Sequence, residues 1–248
     1  MASFVAHESC PRCGSRDNLG RYDDGSAWCF GCHLFIPVSS SSDVHRVLHT
    51  TGDSESIQLP PDTIKLLPQH VHNWLGKYGI TTEEALKWGW VYSPYYDQLI
   101  FPFYTGTTDE QGRQELAFYQ ARNFNTERAG KRKYYNKGSP VDILPIFHCG
   151  GNAPRRLVVV EDAVSAAKIA RQRDAMPCLG SYLPARKLAR LRPFYEHLDV
   201  WLDEDKLREA REISTMARWI GLSTRVIYTP LDPKEYTDEE IKHLTSFT

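Results

Sequence analysis

No apolar run in these 248 residues approaches the ~20 needed to span a bilayer. MASFVAHESC has neither the basic start nor the apolar stretch of a secretory signal. Those two absences predict a cytoplasmic chain with no membrane partner. An excess of charge of one sign is lacking too, since 30 Lys and Arg stand against 31 Asp and Glu, a formal net charge of −1. Attraction of a polyanion by bulk charge is thereby excluded, and only local clusters can provide it. Cysteine is scarce: four of the six lie within the first 32 positions in paired spacing, whereas Cys149 and Cys178 stand alone and, like most of the histidines, read as structural. In a reducing compartment the paired pattern favours metal ligation over disulfides. There is no internal repeat, and the one biased tract is rich in serine.

What is present divides the chain into four stretches. Residues 1–38 are turn-rich with short aromatic runs, as in a small β module. Residues 39–60 form a Ser-rich linker ending at Leu59-Pro60-Pro61. Residues 61–150 are mixed α/β: two short helices, the second opening on a capping box from Thr81 to Glu84, then paired strands QLIFPFYTG and ELAFYQARNF. Residues 151–248 alternate differently: RLVVVED, PCLG, LDVWLDED and TRVIYT read as strands separated by helices. The helix KLREAREISTMARWIG carries Leu207, Ala210, Ile213, Ala217 and Ile220 on one stripe. That alternation implies crossovers and a mostly parallel sheet, so the expected class is α/β with a small β module in front.

Cys10-x2-Cys13 and Cys29-x2-Cys32, fifteen residues apart, have the spacing of a four-cysteine zinc ribbon. A redox pair or chance proximity is the alternative reading. A module of about 35 residues buries too little surface to fold alone, so a zinc ion is expected to hold it together. Around the thiols, Arg12, Arg16 and Arg21 suit phosphates, while Tyr22, Trp28, Phe30, His33 and Phe35 offer flat faces for unstacked bases. The same aromatics would also serve as the module's minimal core. Further on, ARNFNTERAGKRKYYNKGS gathers Arg122, Arg128, Lys131, Arg132, Lys133 and Lys137 around Tyr134 and Tyr135, against Glu127 alone. A cluster of this kind is either a solvated face or a surface for phosphates and bases.

VWLDEDK, residues 200–206, raises an electrostatic question. Read as strand, it projects Asp203 and Asp205 to one side. At ~5 Å and an effective dielectric near ~20 their repulsion is on the order of 3 kcal/mol. Glu161 ends the strand LVVVE, and in a parallel sheet all three carboxylates fall at the carboxyl edge, where open α/β folds bind ligands. A bridging magnesium or manganese ion relieves the repulsion and leaves positions for phosphate oxygens. Asp232 is a fourth candidate at that edge. Capping of the following helix by Asp203 and Asp205 is the competing explanation, and it leaves Glu161 without a reason.

Glu161-Asp162-Ala163-Val164-Ser165-Ala166 followed by Asp203-x-Asp205 resembles the acidic signature of the TOPRIM fold, with Asp162 where glycine is usual. Together with the cysteine pairs, WLGKYGIT, QLIFPFY and KRKYYNKG, the order of parts is similar to the primase half of bacteriophage primase–helicases. The resemblance implies a DNA primase making RNA primers on single-stranded DNA from ribonucleoside triphosphates. In it, 1–38 is the template-binding ribbon, 61–150 the basic part of the RNA polymerase domain and 151–248 the TOPRIM catalytic domain. Glu161 would be acid/base or metal ligand, Asp203 and Asp205 the magnesium pair, and Lys133 the nucleotide-gripping base, with Arg122 a weaker match. Leu231-Asp232-Pro233-Lys234-Glu235 would be the late acidic element. No G-x-x-x-x-G-K-[ST] loop is present in these residues, so the implied helicase activity would come from a separate partner or from a part not included here; the setting would be the infected host's cytoplasm. A TOPRIM nuclease and a noncatalytic recombination mediator share these modules, and a topoisomerase fits least.

Overall fold

The computed structural model describes residues 3–12, 15–31, 34–36, 57–108, 112, 114–125, 127, 132–140, 143–150, 155–180 and 183–246. The chain divides into two units, Met1–Asp53 and Ser54–Thr248. In the first, β1 (Phe4–Glu8), β2 (Leu19–Tyr22), β3 (Ala27–Cys29) and β4 (Phe35–Ile36) pair in that order, all antiparallel. The β2–β3 turn passes through Asp24-Gly25 with Gly25 at φ 83°, where a side chain would be strained. Its core is Cys10, Leu19, Ala27 and Cys29, flanked by Leu34 and Ile36. Two cysteines thus stand among the few buried side chains of this unit.

The second unit opens with α1 (Gln69–Gly76) and α2 (Thr82–Lys87). The expected capping box forms: the Glu84 amide donates to Thr81 Oγ1 at 3.2 Å, and the Thr81 amide to Glu84 Oε2 at 2.9 Å. An antiparallel meander follows, β5 (Val91–Ser93), β6 (Gln98–Thr108), β7 (Gln114–Asn123) and β8 (Tyr134–Gly138). Strand alternation gives it two unlike faces. Leu99, Phe101, Phe103 and Phe118 point into the main core; Ile100, Tyr119 and Ala121 point the other way, beneath Ile57 and Leu59.

Next come β9 (Arg156–Val160), α3 (Ala163–Ile169), β10 (Asp174–Pro177), α4 (Ala185–Leu191), β11 (His197–Val200), α5 (Leu207–Trp219), β12 (Ser223–Val226) and α6 (Asp238–Leu244). The strands form a parallel sheet in the order β10-β9-β11-β12. Val158 and Val160 of β9 share the core under the meander, while Leu157 and Val159 join Leu188, Leu191, Ala210, Ile213 and Ala217 on the other face. The core therefore runs without a break from the meander into the parallel sheet. Across β9, β11 and β12, buried Asp199 receives two bonds from Arg156, at 2.7 and 2.9 Å, and two from Arg225, at 3.0 and 3.2 Å.

Three expectations about elements are corrected. The strand VWLDED ends at Val200, and Glu204–Lys206 coil into a 3-10 turn leading into α5, a position that favours acidic residues through the helix dipole. The strand expected at PCLG is β10, Asp174–Pro177, and it stops before Cys178, with Leu179 at φ 58°. The basic stretch read as a single charged surface is split, because Tyr134–Gly138 is a sheet strand with two faces.

Candidate functional site

Strands β9 and β11 lie side by side, Val159 facing Val200, so their carboxyl ends open at the same edge. Glu161 follows β9 directly, and Asp203 lies just past β11 after buried Trp201 and Leu202. Trp201 is anchored there: its amide donates to the Val159 carbonyl at 2.8 Å and its indole N–H to Thr229 Oγ1 at 2.7 Å. Glu161 Oε2 and Asp203 Oδ1 are both buried and accept no hydrogen bond. Burial, then Glu161, Asp232 and Asp162 against the pull of Lys234, push the Asp203 carboxyl up to about 7. Burial first, with Asp162 and Asp205 adding to it, raises Glu161 as well, against the pull of Lys206 and Lys234. Asp203 makes no side-chain capping bond to the turn that follows. Capping therefore does not account for it.

The other acids are differently occupied. Asp205 sits in the 3-10 turn, its side chain 74% exposed, paired with Lys206 at 3.0 Å. The shared direction expected of Asp203 and Asp205 is lost because the backbone there is not extended. Asp162 caps α3, Oδ1 accepting from the Val164 and Ser165 amides at 2.8 and 3.0 Å. The Lys234 ammonium, 11% exposed, bridges Asp162 Oδ2 at 3.0 Å and Asp232 Oδ2 at 2.6 Å. These carboxylates hold Lys234 firmly protonated despite its burial. Among the described residues no three His, Cys, Asp or Glu side chains are close enough to hold one metal ion, so the converging trio Glu161, Asp203 and Asp205 is not preassembled. What remains is a pair of unsatisfied oxygens on neighbouring strand ends. Hard oxygen donors of this kind, one carrying a displaceable proton, fit magnesium or manganese.

The alternation of β7 and β8 splits the basic stretch between two faces. Arg122 points inward, its guanidinium 5.4 Å from the Trp74 ring, 5.9 Å from Phe124 and 5.3 Å from Tyr134, with Nε and Nη1 buried and unbonded. Tyr134 points the same way. Burial, then the field of Asp162, raise its hydroxyl to about 12, so it stays a neutral donor. Lys133 Nζ lies 5.8 Å over the Tyr134 ring. Tyr135 and Lys137 face the opposite side of the sheet and line a cavity with Arg132. The structure thus brings Arg122 and Tyr134 toward the acidic group and turns Arg132, Tyr135 and Lys137 away from it. Arg128 and Lys131 lie outside the described residues.

In the first unit, the Cys10 amide donates to the Ser15 carbonyl and the Cys29 amide to the Leu34 carbonyl, both at 2.8 Å. Each hydrogen bond joins the first cysteine of a C-x2-C pair to the residue five positions on. Cys10 and Cys29 are buried; Cys13, Cys32 and His33 lie outside the described residues. Two buried thiols at matching loop positions fit zinc. Arg12 is exposed and Trp28 half-buried, its ring 6.4 Å from Phe35. Arg21 is chelated by Glu8 at 2.9 and 2.7 Å and is not an open phosphate contact. Two contributors went unread in the sequence. Asp162 preceding AVSAAKI had an N-cap signal, and Lys234 was visible only as the lone cation of LDPKE.

The described residues thus comprise a small antiparallel module with two buried cysteines, an antiparallel meander and a parallel sheet with acids at its carboxyl edge. Among solved structures, the zinc-binding and RNA polymerase domains of the Aquifex aeolicus primase match with a TM-score of 0.53 at 16% identity, over 71% of this chain and 55% of that one. The primase fragment of the bacteriophage T7 primase–helicase aligns over 98% of this chain and 100% of its own, at 17% identity and a TM-score of 0.49. A DNA primase domain from Pseudomonas aeruginosa covers 67% of this chain and 66% of its own, at 19% identity and a TM-score of 0.49. No family model and no curated protein matches the sequence. The fold is of the DNA-primase type, so the expected likeness to DNA primases is met at the level of fold.

Proposed function

We propose that this chain is a DNA primase that synthesises short RNA primers on single-stranded DNA, in the replication of a phage. One observation carries the reading: the orphaned oxygens of Glu161 and Asp203 lie on adjacent strand ends of a primase-type fold. The reaction joins the 3′-hydroxyl of one ribonucleotide to the α-phosphate of the next and releases pyrophosphate. Magnesium or manganese, when bound by Glu161 and Asp203 with Asp205 nearby, supplies charge neutralisation for the phosphates. Asp232 is less available as a ligand because Lys234 holds it. Arg122, whose unbonded N–H groups lie among three rings, suits a triphosphate oxygen, and Lys133 beside Tyr134 adds a second cation. Cys10, Cys13, Cys29 and Cys32 would hold zinc in the template-reading module, with Arg12, Trp28 and His33 on its surface.

The test is incorporation of labelled ribonucleotides on random single-stranded templates by the full chain and by Glu161→Gln. The reading expects primers from the first and at least a hundredfold less from the second, roughly the contribution of one catalytic group. Cleavage of DNA without ribonucleotides would favour the nuclease reading, and strand binding with neither activity would favour the mediator. Wild-type rates in Glu161→Gln would overturn the assignment of the acids.

A further inference from the structure

The outer face of the meander carries a cavity of about 830 Å³. Its floor is Gln98 of β6, Tyr119 and Asn123 of β7, and Tyr135 and Lys137 of β8, every one at an outward position of its strand. Residues 58–61, Tyr96 and Arg132 complete the described lining. The volume lies within the range of sites that take a small ligand, roughly 300–1,000 Å³. Among the described residues its lining is chemically one-sided: three tyrosines, three amides and two cations, without a carboxylate. Neither Arg132 nor Lys137 is ion-paired to a described residue.

Part of the site is already fixed. Gln98 Nε2 donates to Asn123 Oδ1 at 2.6 Å, and Asn123 Nδ2 donates to the Arg132 carbonyl at 2.7 Å, locking the floor and the backbone that presents Arg132. The Tyr119 and Tyr135 rings lie 6.1 Å apart at 46°, and Tyr135 keeps an open face. Burial pushes the Tyr119 hydroxyl up to about 12, so it meets a ligand as a neutral donor. Flat rings, hydrogen-bonding groups and cations without competing acids match one chemistry, a nucleobase with its phosphate. The acidic group cannot claim this cavity, because the sheet that aims Arg122 and Tyr134 inward aims these residues outward.

We propose that the outer face of the meander is a second nucleotide-binding site, taking one unit of a nucleic-acid strand or a free nucleotide, distinct from the acidic site. A base stacks on Tyr135 while Lys137 and Arg132 meet its phosphate. The site keeps hold of a nucleotide unit while the other face is free for chemistry.

Binding is measured on the full chain without divalent metal, so the result does not depend on catalysis at the acidic site. The ligands are labelled oligothymidylate and a fluorescently labelled nucleoside triphosphate, each read by anisotropy. Tyr135→Ala combined with Lys137→Ala is expected to weaken binding about tenfold, the effect of losing one stacked base; Tyr135→Phe, which keeps the ring, should stay within about twofold. Weakening confined to the oligonucleotide assigns the site to a strand, and weakening confined to the triphosphate assigns it to a free nucleotide. Unchanged affinity for both ligands in a variant with wild-type circular dichroism overturns the proposal. Should the double variant misfold, Lys137→Gln alone decides by the same readings. Parallel loss of manganese binding would place the effect on the inner face and also overturn it.

Discussion

Asp203 carries its charge at a cost that the surroundings only partly offset. Its carboxyl ionises near 7 in the folded chain and near ~4 once unfolded, so stability is lost as pH rises through that interval. Asp203→Asn removes this loss. Without metal, the variant should melt about 2–4 °C above wild type at pH 8, the shift for about 1 kcal/mol after solvent screening, and level with it near pH 4. Manganese should stabilise wild type more at pH 8 than at pH 6, because the ion must displace the Asp203 proton, and should not stabilise the variant. Equal melting of the two chains at pH 8 would remove the buried carboxylate as a source of strain. Lys234 is the reason the cluster tolerates Asp162 and Asp232 beside it, one ammonium serving two carboxylates.

Single elements are tied together by polar bridges as much as by apolar contact. Arg171, just beyond α3, donates to Glu84 of α2 at 2.6 and 2.7 Å, to Asp238 of α6 and to the Gly79 carbonyl. Glu84 also completes the cap of its own helix, so one side chain both starts α2 and docks it. In the parallel sheet, Asp199 on β11 binds Arg156 on β9 and Arg225 on β12. Asp199→Ala leaves these guanidinium groups without their carboxylate and should lower stability by about 3–5 kcal/mol, read as a fall in the urea midpoint. An unchanged midpoint would mean that water or the backbone satisfies both arginines. Because β9 and β11 also position Glu161 and Asp203, the variant should lose metal-dependent stabilisation too.

On the scale of the molecule, the two units differ in what sustains them. Among the described residues the apolar core of the first unit is four side chains, two of them cysteines, whereas the core of Ser54–Thr248 holds whole faces of two sheets. A strong chelator should therefore erase amide-exchange protection in β1–β4 and leave β6, β7, β9 and β11 protected. Simultaneous loss of protection in both units, or none in either, would exclude zinc as the element holding the first.

By themselves, the residues of this chain settled the local matters: the Thr81–Glu84 cap, the hairpin of QLIFPFYTG with ELAFYQARNF, and the buried stripe Ala210, Ile213 and Ala217. Each depends on neighbours a few positions apart, so pattern suffices. Glu161 and Asp203 were legible as candidates because acids ending apolar strands are conspicuous. Their separation from Asp205 was not, since a 3-10 turn and an extended strand suit LDEDK equally until α5 docks. Nor could charge alone divide KRKYYNKG, where Tyr134 faces inward and Tyr135 and Lys137 face outward only once β8 pairs with β7. Only the tertiary structure could seat Lys234 between Asp162 and Asp232, because the field at a side chain is set by residues that the sequence keeps 72 positions apart.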